Sequence, residues 1–152
     1  MYAIVKVRGN IGVRNDVIHN LKLLNLTRVN HCVLFQETEK IKGMLKKGKD
    51  YITWGEISKE TLQKLLYKRG KVYKDKKLVD FKDVYDLKKT QEISTQLLEG
   101  KVKLKDLNIK PVFRLKPPSK GYERKGVKKT FKQGGALGYR GDKINNLLIK
   151  MI

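Results

Sequence analysis

Apolar residues in the first third of the chain switch between the spacing of strands and that of helices. Between residues 2 and 8, apolar side chains at odd positions alternate with the other residues, which predicts a strand with one buried face. From Asn15, a suitable N-cap, to Asn25, apolar residues recur at i, i+1, i+4 and i+7, which predicts a helix. A strand over 31–36 follows, then a short helix that Thr38 can cap and Gly48 can end, and then a strand over 51–54. This order predicts a small α+β domain over residues 1–57, a βαβαβ unit with both helices on one face of its sheet.

Helical spacing dominates the middle of the chain. Ser58 can cap a helix whose leucines at positions 62, 65 and 66 share a face, and Gly70 can end it. Residues 71–90 are charged and less periodic, and a further helix is predicted from about Gln91 to Leu98. We therefore interpret residues 58–109 as an inserted helical lobe.

The last part of the chain, residues 110–152, combines a strand, a glycine-rich stretch and a helix. Residues 112–116 alternate as in a strand, and the two prolines that follow should end it. Residues 119–141 hold six glycines and seven lysines or arginines, which predicts a flexible basic loop. From Asp142, apolar residues repeat at i, i+3, i+4 and i+7, which predicts a C-terminal helix packing back on the core.

The net charge of the chain is more informative about its function than any single motif. The chain of 152 residues has 36 Lys and Arg against 15 Asp and Glu, a net charge of +21. Twelve of these cations, against two acidic residues, lie in residues 110–152. Such a surplus repels itself unless a polyanion neutralises it, and nucleic acid is the expected partner. Membrane binding is the rival interpretation, but neither a spanning segment nor a signal peptide is predicted.

Aromatic residues are interleaved with the cations of the glycine-rich stretch. Tyr122 and Phe131 stand among the lysines of residues 120–132, so that rings can stack on bases while the charges follow phosphates. The glycines from Gly134 to Gly141 do not match a phosphate-binding loop of a nucleotide enzyme. For Trp54, packing in the core is the expected role, with stacking on a base as the alternative.

The sequence offers little for catalysis or metal binding. His31 and Cys32 are adjacent on a predicted strand, so their side chains point to opposite faces and cannot pair. No pair of carboxylates has the spacing of a general acid and base. Cys32 is the single cysteine, which excludes an internal disulfide and a zinc finger, and it fits a reducing, cytoplasmic location. We expect no enzyme activity, no cofactor and no metal.

Short motifs spread along the chain resemble, in order, those of one known family. They are Val7-Arg8-Gly9, Leu23-Leu24-Asn25-Leu26, Val29-Asn30-His31-Cys32, Gly43-Met44, Trp54-Gly55-Glu56, Leu65-Leu66-Tyr67-Lys68-Arg69-Gly70, Arg114-Leu115-Lys116-Pro117-Pro118, Gly134-Gly135-Ala136-Leu137-Gly138 and Ile144-Asn145-Asn146-Leu147-Leu148. The family is that of ribosomal protein L-thirty of the large subunit, in its longer archaeal form, which is related to the eukaryotic L-seven protein. Several short motifs in register are more specific than any one alone.

The resemblance implies a fold and a set of partners. The fold is a core of three antiparallel strands and two helices, related to the ferredoxin-like arrangement, with a lobe that the short bacterial form lacks. The partners are 23S ribosomal RNA, with 5S ribosomal RNA nearby, and neighbouring large-subunit proteins. The implied role is structural: such proteins help to fold and hold RNA segments on the cytoplasmic ribosome.

The residues expected to contact RNA lie in the predicted core and in the basic loop. From the core they are Arg8, Arg14, Arg28, Asn30, His31, Lys42 and Lys46. From the loop they are Lys120, Arg124, Lys125, Lys128, Lys129, Lys132, Gly134, Gly135, Gly138 and Arg140. Two other functions stay open. A non-ribosomal RNA chaperone or transfer-RNA binder would carry similar charge, and an RNA-modifying enzyme would require a cofactor pocket or a paired acid and base.

Overall fold

A computed structural model describes residues 1–74 and 77–152 of the chain. Its strands are β1 (Tyr2–Lys6), β2 (His31–Phe35), β3 (Ile52–Glu56), β4 (Lys71–Lys74), β5 (Lys77–Asp80), β6 (Val112–Arg114) and β7 (Gly138–Tyr139). Its α-helices are α1 (Asn15–Leu23), α2 (Glu39–Gly48), α3 (Lys59–Arg69), α4 (Leu87–Leu98) and α5 (Ile144–Met151). Short 3-10 helices cover Phe81–Asp83, Gly126–Lys128, Phe131–Gln133 and Gly141–Lys143.

Side-chain caps mark where two of the helices begin. The hydroxyl of Thr38 accepts a hydrogen bond from the Ile41 amide at 3.3 Å, and that of Ser58 accepts one from the Thr61 amide at 3.3 Å. The first helix has Arg14 rather than Asn15 at its N-cap position, and α4 begins at Leu87, one turn before the predicted start. In α4 the added turn includes Thr90, which is buried and whose hydroxyl donates a hydrogen bond to the Asp86 oxygen at 2.8 Å.

The main sheet has five strands in the order β6-β2-β1-β3-β7. Strand β1 pairs antiparallel with β2 and β3, and β6 pairs antiparallel with β2. Strand β7 pairs parallel with β3. The predicted sheet of three antiparallel strands is therefore incomplete: the C-terminal part of the chain adds one strand at each edge and makes the sheet mixed. The pairing partner of so short a strand depends on contacts distant in sequence, which a local pattern does not show.

Helices cover both faces of this sheet. On one face, α1 and α2 pack on Ile4, Val33 and Ile52. On the other, α3, α4 and α5 pack on a cluster that contains Ala3, Val5 and Phe113. All five residues of β1 are buried, so the prediction of one buried face for this strand is wrong. Strand β1 is buried on both faces because α3, α4 and α5 form a second helical layer, which comes from residues far along the chain.

The range 58–109 contains a β-hairpin as well as helices. Strands β4 and β5 pair antiparallel within residues 71–90, a charged segment whose spacing predicts no strand. Residues 75 and 76, which belong to that segment, lie outside the described residues. Helices α3 and α4 contribute to the same core cluster as the sheet. The division of the chain at residues 57 and 109 into folding units stays a prediction.

Residues 119–141, which we call the basic segment, carry more structure than the predicted loop. Two of the 3-10 helices and β7 fall in it. Ala136 and Leu137 are buried and form a small apolar cluster with Val7, at the end of β1. Part of the basic segment is thus folded onto the sheet. Among the described residues, no helix is long and apolar enough to cross a membrane.

Candidate nucleic-acid interface

One end of the sheet collects residues from several strands. Strand β1 ends there, where Lys6 lies opposite Ile52 at the start of β3. Strand β2 begins there, and its first residue, His31, lies opposite Arg114, the last residue of β6. We call this the basic end of the sheet. It brings Arg8, which follows β1, into the same region as His31 and Arg114.

Arg8 is held by the loop that precedes β3. Its Nη1 atom donates a hydrogen bond to the main-chain oxygen of Asp50 at 3.1 Å. Its guanidinium carbon lies 5.1 Å from the centre of the Tyr51 ring, within the range of a cation–π contact. A guanidinium has five N–H donors, so this anchoring is compatible with binding a phosphate.

Asn30 shapes the turn that enters β2. It has a φ of +62°, a left-handed conformation that asparagine tolerates better than most residues. Its main-chain amide donates a hydrogen bond to the main-chain oxygen of Lys6 at 2.8 Å. Its main-chain oxygen accepts one from the Leu115 amide at 3.1 Å. Its side-chain oxygen accepts a hydrogen bond from the Tyr122 hydroxyl at 3.2 Å. Asn30 therefore connects the basic segment to the sheet.

The pKa of His31 reflects its burial and the positive charge of the basic end. Burial lowers the pKa of His31 below its ordinary value of 6.5. Four nearby cations lower it further, namely Arg114, Arg28, Lys6 and Lys110. The imidazole is therefore neutral at pH 7 and can donate or accept a hydrogen bond.

Hydrogen bonds within the basic segment fix its course. The Phe131 amide donates to the Leu137 oxygen at 2.7 Å, and the Ala136 amide donates to the Gly126 oxygen at 3.0 Å. Gly135 lies so close to Lys129 that a Cβ atom would come within 2.2 Å of its main-chain oxygen. Gly134 has a φ of +86°, which favours glycine at that turn.

The cations of the basic segment divide into one buried arginine and an exposed group. Lys120, Arg124, Lys125, Lys128, Lys129 and Lys132 are exposed. Within the described residues, none of these six forms an ion pair. A patch of unpaired lysines on a fixed backbone is suited to neutralise phosphates.

Arg140 belongs to the interior rather than to the exposed group. Its side chain is 1% exposed and forms a bidentate ion pair with Glu123. It also donates to the Thr53 hydroxyl at 2.8 Å and to the Ala136 oxygen at 2.9 Å. The prediction that Arg140 contacts RNA is therefore not supported by its position, because its donors are used within the protein.

Of the remaining predicted residues, Lys42 lies at the opposite end of the sheet, whereas Lys46 and Gly138, which is the register partner of Thr53, lie towards the basic end. Lys42 pairs with Glu37 at 2.6 Å, beyond the point where β2 ends, and is thus at the opposite end of the sheet. Arg14 is exposed and lies 3.4 Å from Asp16. Lys46 is exposed on the last turn of α2. Gly138 begins β7, with a φ of +83° and open space around its Cα.

A basic cleft lies beside β6, and the sequence alone did not predict it. It has a volume of about 370 Å³, and five of its lining residues are cations, namely Lys68, Arg69, Lys71, Lys110 and Arg114. Asp80, its acidic lining residue, lies 3.6 Å from Lys71. Because Arg114 is the register partner of His31, the cleft continues the basic end. The Lys68-Arg69 pair was visible in the sequence, but its approach to β6 is a tertiary feature.

The side chains usual in catalysis are not assembled here. Among residues 1–74 and 77–152, no group of three His, Cys, Asp or Glu residues could hold a metal ion. Burial raises the pKa of the Cys32 thiol to about 12, which makes it a poor nucleophile. Fold and surface together define a class: a small, strongly basic α/β protein whose candidate site suits a polyanion.

Comparisons with known proteins identify the family. Residues 2–52 match the family model described as ribosomal protein L30p/L7e. The large ribosomal subunit protein uL30 of Nanoarchaeum equitans is 52% identical over 153 residues, which cover 100% of this chain and 99% of the relative. That of Methanococcus maripaludis strain DSM 14266 is 52% identical over 99% of both chains, and that of Methanosphaera stadtmanae is 46% identical over 100% of both. The chain therefore belongs to the ribosomal protein L30p/L7e family, as its motifs indicated. Proteins of this family are structural ribosomal proteins and not enzymes.

Proposed function

We propose that this protein is a structural constituent of the large ribosomal subunit and binds ribosomal RNA through its basic end. The observation that carries the proposal is the group of exposed, unpaired cations that the folded basic segment presents. The full-length identity to proteins named as large-subunit components supports the same role.

Binding is electrostatic in this proposal. Each lysine that contacts a phosphate releases condensed counterions, which favours association and makes it dependent on salt. Lysine, a point charge, follows the sugar-phosphate backbone rather than reading base edges. The sheet positions Arg8, Arg28 and His31, while the basic segment supplies Lys125, Lys128, Lys129 and Lys132.

The finer assignment rests on the family resemblance. We propose 23S ribosomal RNA as the direct ligand, with 5S ribosomal RNA nearby and neighbouring large-subunit proteins as further contacts. The protein would then act in the cytoplasm as part of the assembled ribosome. It would help to fold RNA during assembly and stabilise it during translation.

Sedimentation tests the structural role. In a high-magnesium gradient of a lysate, we expect one copy of the protein for each large subunit. Recovery mainly at the top of the gradient, or with free transfer RNA, would contradict the proposal.

Salt dependence tests the interface. Replacing Lys125, Lys128, Lys129 and Lys132 with Ala should reduce the slope of log affinity against log salt by roughly 3 to 4 units. The probe is refolded large-subunit RNA freed of protein. The matched control replaces Lys40, Lys101, Lys103 and Lys105, four exposed lysines towards the opposite end of the sheet. If both variants lower the slope equally, binding is not localised to the basic segment.

A further inference from the structure

A groove lined by aromatic side chains lies beside the basic segment. It has a volume of about 270 Å³ and lies between the residues around β7 and the loop after α2. Its aromatic lining residues are Trp54, Phe131 and Tyr139, and its charged lining residues are two cations, Lys49 and Lys132, and one acid, Asp50. Neither the family comparison nor the electrostatic role explains why rings should be exposed here.

Trp54 and Tyr139 are register partners on β3 and β7 and project from the same face of the sheet. Their ring centres are 6.4 Å apart and their planes are inclined by 48°, so they do not stack on each other. Trp54 is half-buried, and Tyr139 is 47% exposed. Ring surface is therefore accessible from the groove.

Tyr139 is held in place by a hydrogen bond to a carboxylate. Its hydroxyl donates to Oε1 of Glu56 at 2.7 Å. This hydrogen bond, with partial burial and the charge of Glu56, raises the pKa of Tyr139 to about 12. The phenol remains protonated, and its ring orientation is fixed without any ligand.

Phe131 completes the apolar lining. Its ring lies 4.6 Å from the Arg140 guanidinium carbon and 5.8 Å from the Lys143 ammonium. The buried ion pair of Arg140 with Glu123 fixes that guanidinium, so the Phe131 ring rests on a rigid support. Lys132, the next residue, places a charge at the rim of the groove.

We propose that this groove receives an unpaired nucleobase of RNA that stacks on Tyr139 and contacts the neighbouring ring of Trp54, while Lys49 and Lys132 neutralise the adjacent phosphates. The inference rests on the proposed RNA-binding function and adds to it a preference for unpaired nucleotides. Every base has an apolar face, so the groove would favour no particular base. The lysines at the rim of the groove favour a polyanion such as RNA over a neutral or basic protein partner.

The single tryptophan makes the groove directly observable, because all tryptophan fluorescence comes from Trp54. The probes are a 12-nucleotide oligoadenylate and a 12-base-pair RNA duplex, each titrated at moderate salt. The single strand should quench the emission strongly, because a base contacts the ring. The duplex should leave the emission nearly unchanged, although it binds to the cations.

Variants of Tyr139 test the stacking itself. Tyr139→Leu should weaken single-strand binding by roughly 5- to 100-fold, in line with measured losses of base stacking. It should leave the salt slope and the affinity for the duplex unchanged. Tyr139→Phe is the matched control: it removes the hydroxyl but keeps the ring, and it should bind the single strand almost as well as the native protein.

Each outcome bears on a different claim. If the duplex binds with a steep salt dependence but the single strand does not quench Trp54, the stacking site is wrong and the electrostatic function stands. Equal quenching by both probes, or native affinity of Tyr139→Leu for the single strand, also overturns the stacking site. If neither RNA binds, the proposed function itself fails.

Discussion

Arg140 and Glu123 form a bidentate ion pair that ties the two ends of the basic segment together. The Nη2 atom of Arg140 lies 2.9 Å from Oε2 of Glu123, and Nη1 donates to the other carboxylate oxygen. The same guanidinium binds Thr53 on β3. A chain with a large surplus of cations thus uses one of them, and one of its few acidic residues, to fix the surface that carries the others.

Breaking this pair should destabilise the protein. Glu123→Gln keeps the shape of the side chain but leaves the buried Arg140 without a counter-charge, and we expect a loss of about 2 kcal/mol in the free energy of unfolding. The value is below that of a fully buried pair, since the Glu123 side chain is 30% exposed. Chemical denaturation measures the change. Asp142→Asn is the control, since Asp142 is exposed and makes no ion pair within the described residues. Equal stability of the two variants would argue against the pair.

The same pair predicts a dependence of stability on pH. Burial alone would raise the pKa of Glu123, but the hydrogen bond and charge of Arg140, with Lys150, hold it below its ordinary value of 4.5. A carboxyl whose pKa is lowered by folding stabilises the protein above its unfolded pKa. That stabilisation is lost as the pH falls from about 4.5 through the lower pKa of the folded state. The difference in melting temperature between native protein and Glu123→Gln should therefore shrink below pH 4.5. A difference that stays constant would show that the charge of Glu123 does not contribute.

Close packing at Gly135 gives a test of the segment's backbone. In Gly135→Ala, the new methyl group would meet the Lys129 main-chain oxygen at 2.2 Å, so the backbone must shift. We expect a destabilisation of about 1–3 kcal/mol and weaker RNA binding. Gly9→Ala is the matched control, because a Cβ there has nothing within 4 Å. If Gly135→Ala melts at the same temperature as Gly9→Ala, the basic segment is not packed as described.

His31 offers a probe of the electrostatic potential at the basic end. Its pKa should lie below 6.5 in the free protein, because burial and then the surrounding cations disfavour the charged imidazole. Phosphates that bind there offset the cations, so RNA should raise this pKa. Titration of the ring signals by NMR, with and without RNA, measures both values. A pKa that RNA leaves unchanged would exclude phosphate binding near His31.

Local patterns in the sequence predicted where several helices begin, but they did not predict which charged side chains lie on the candidate RNA-binding surface. The caps at Thr38 and Ser58 lie where local rules placed them, because a helix start depends on a few adjacent residues. The burial of Arg140 and the ion pair of Lys42 with Glu37 arise only when the chain folds. Because the positive charge alone is visible in the sequence, both cations were expected to contact RNA. Arg114 was missed for the same reason, since only the β2–β6 pairing brings it to His31.

The cleft beside β6 yields a prediction of its own. If RNA phosphates enter it, replacing Lys110 and Arg114 with Ala should lower the salt slope of binding by about 2 units, because each contact contributes slightly less than one. The variant should also raise the pKa of His31 in the free protein, since both residues lower it at present. Replacing Lys40 and Lys103 with Ala removes the same charge away from the cleft and should leave both quantities unchanged. A raised pKa with an unchanged salt slope would show that the two cations reach His31 but that no RNA phosphate contacts them.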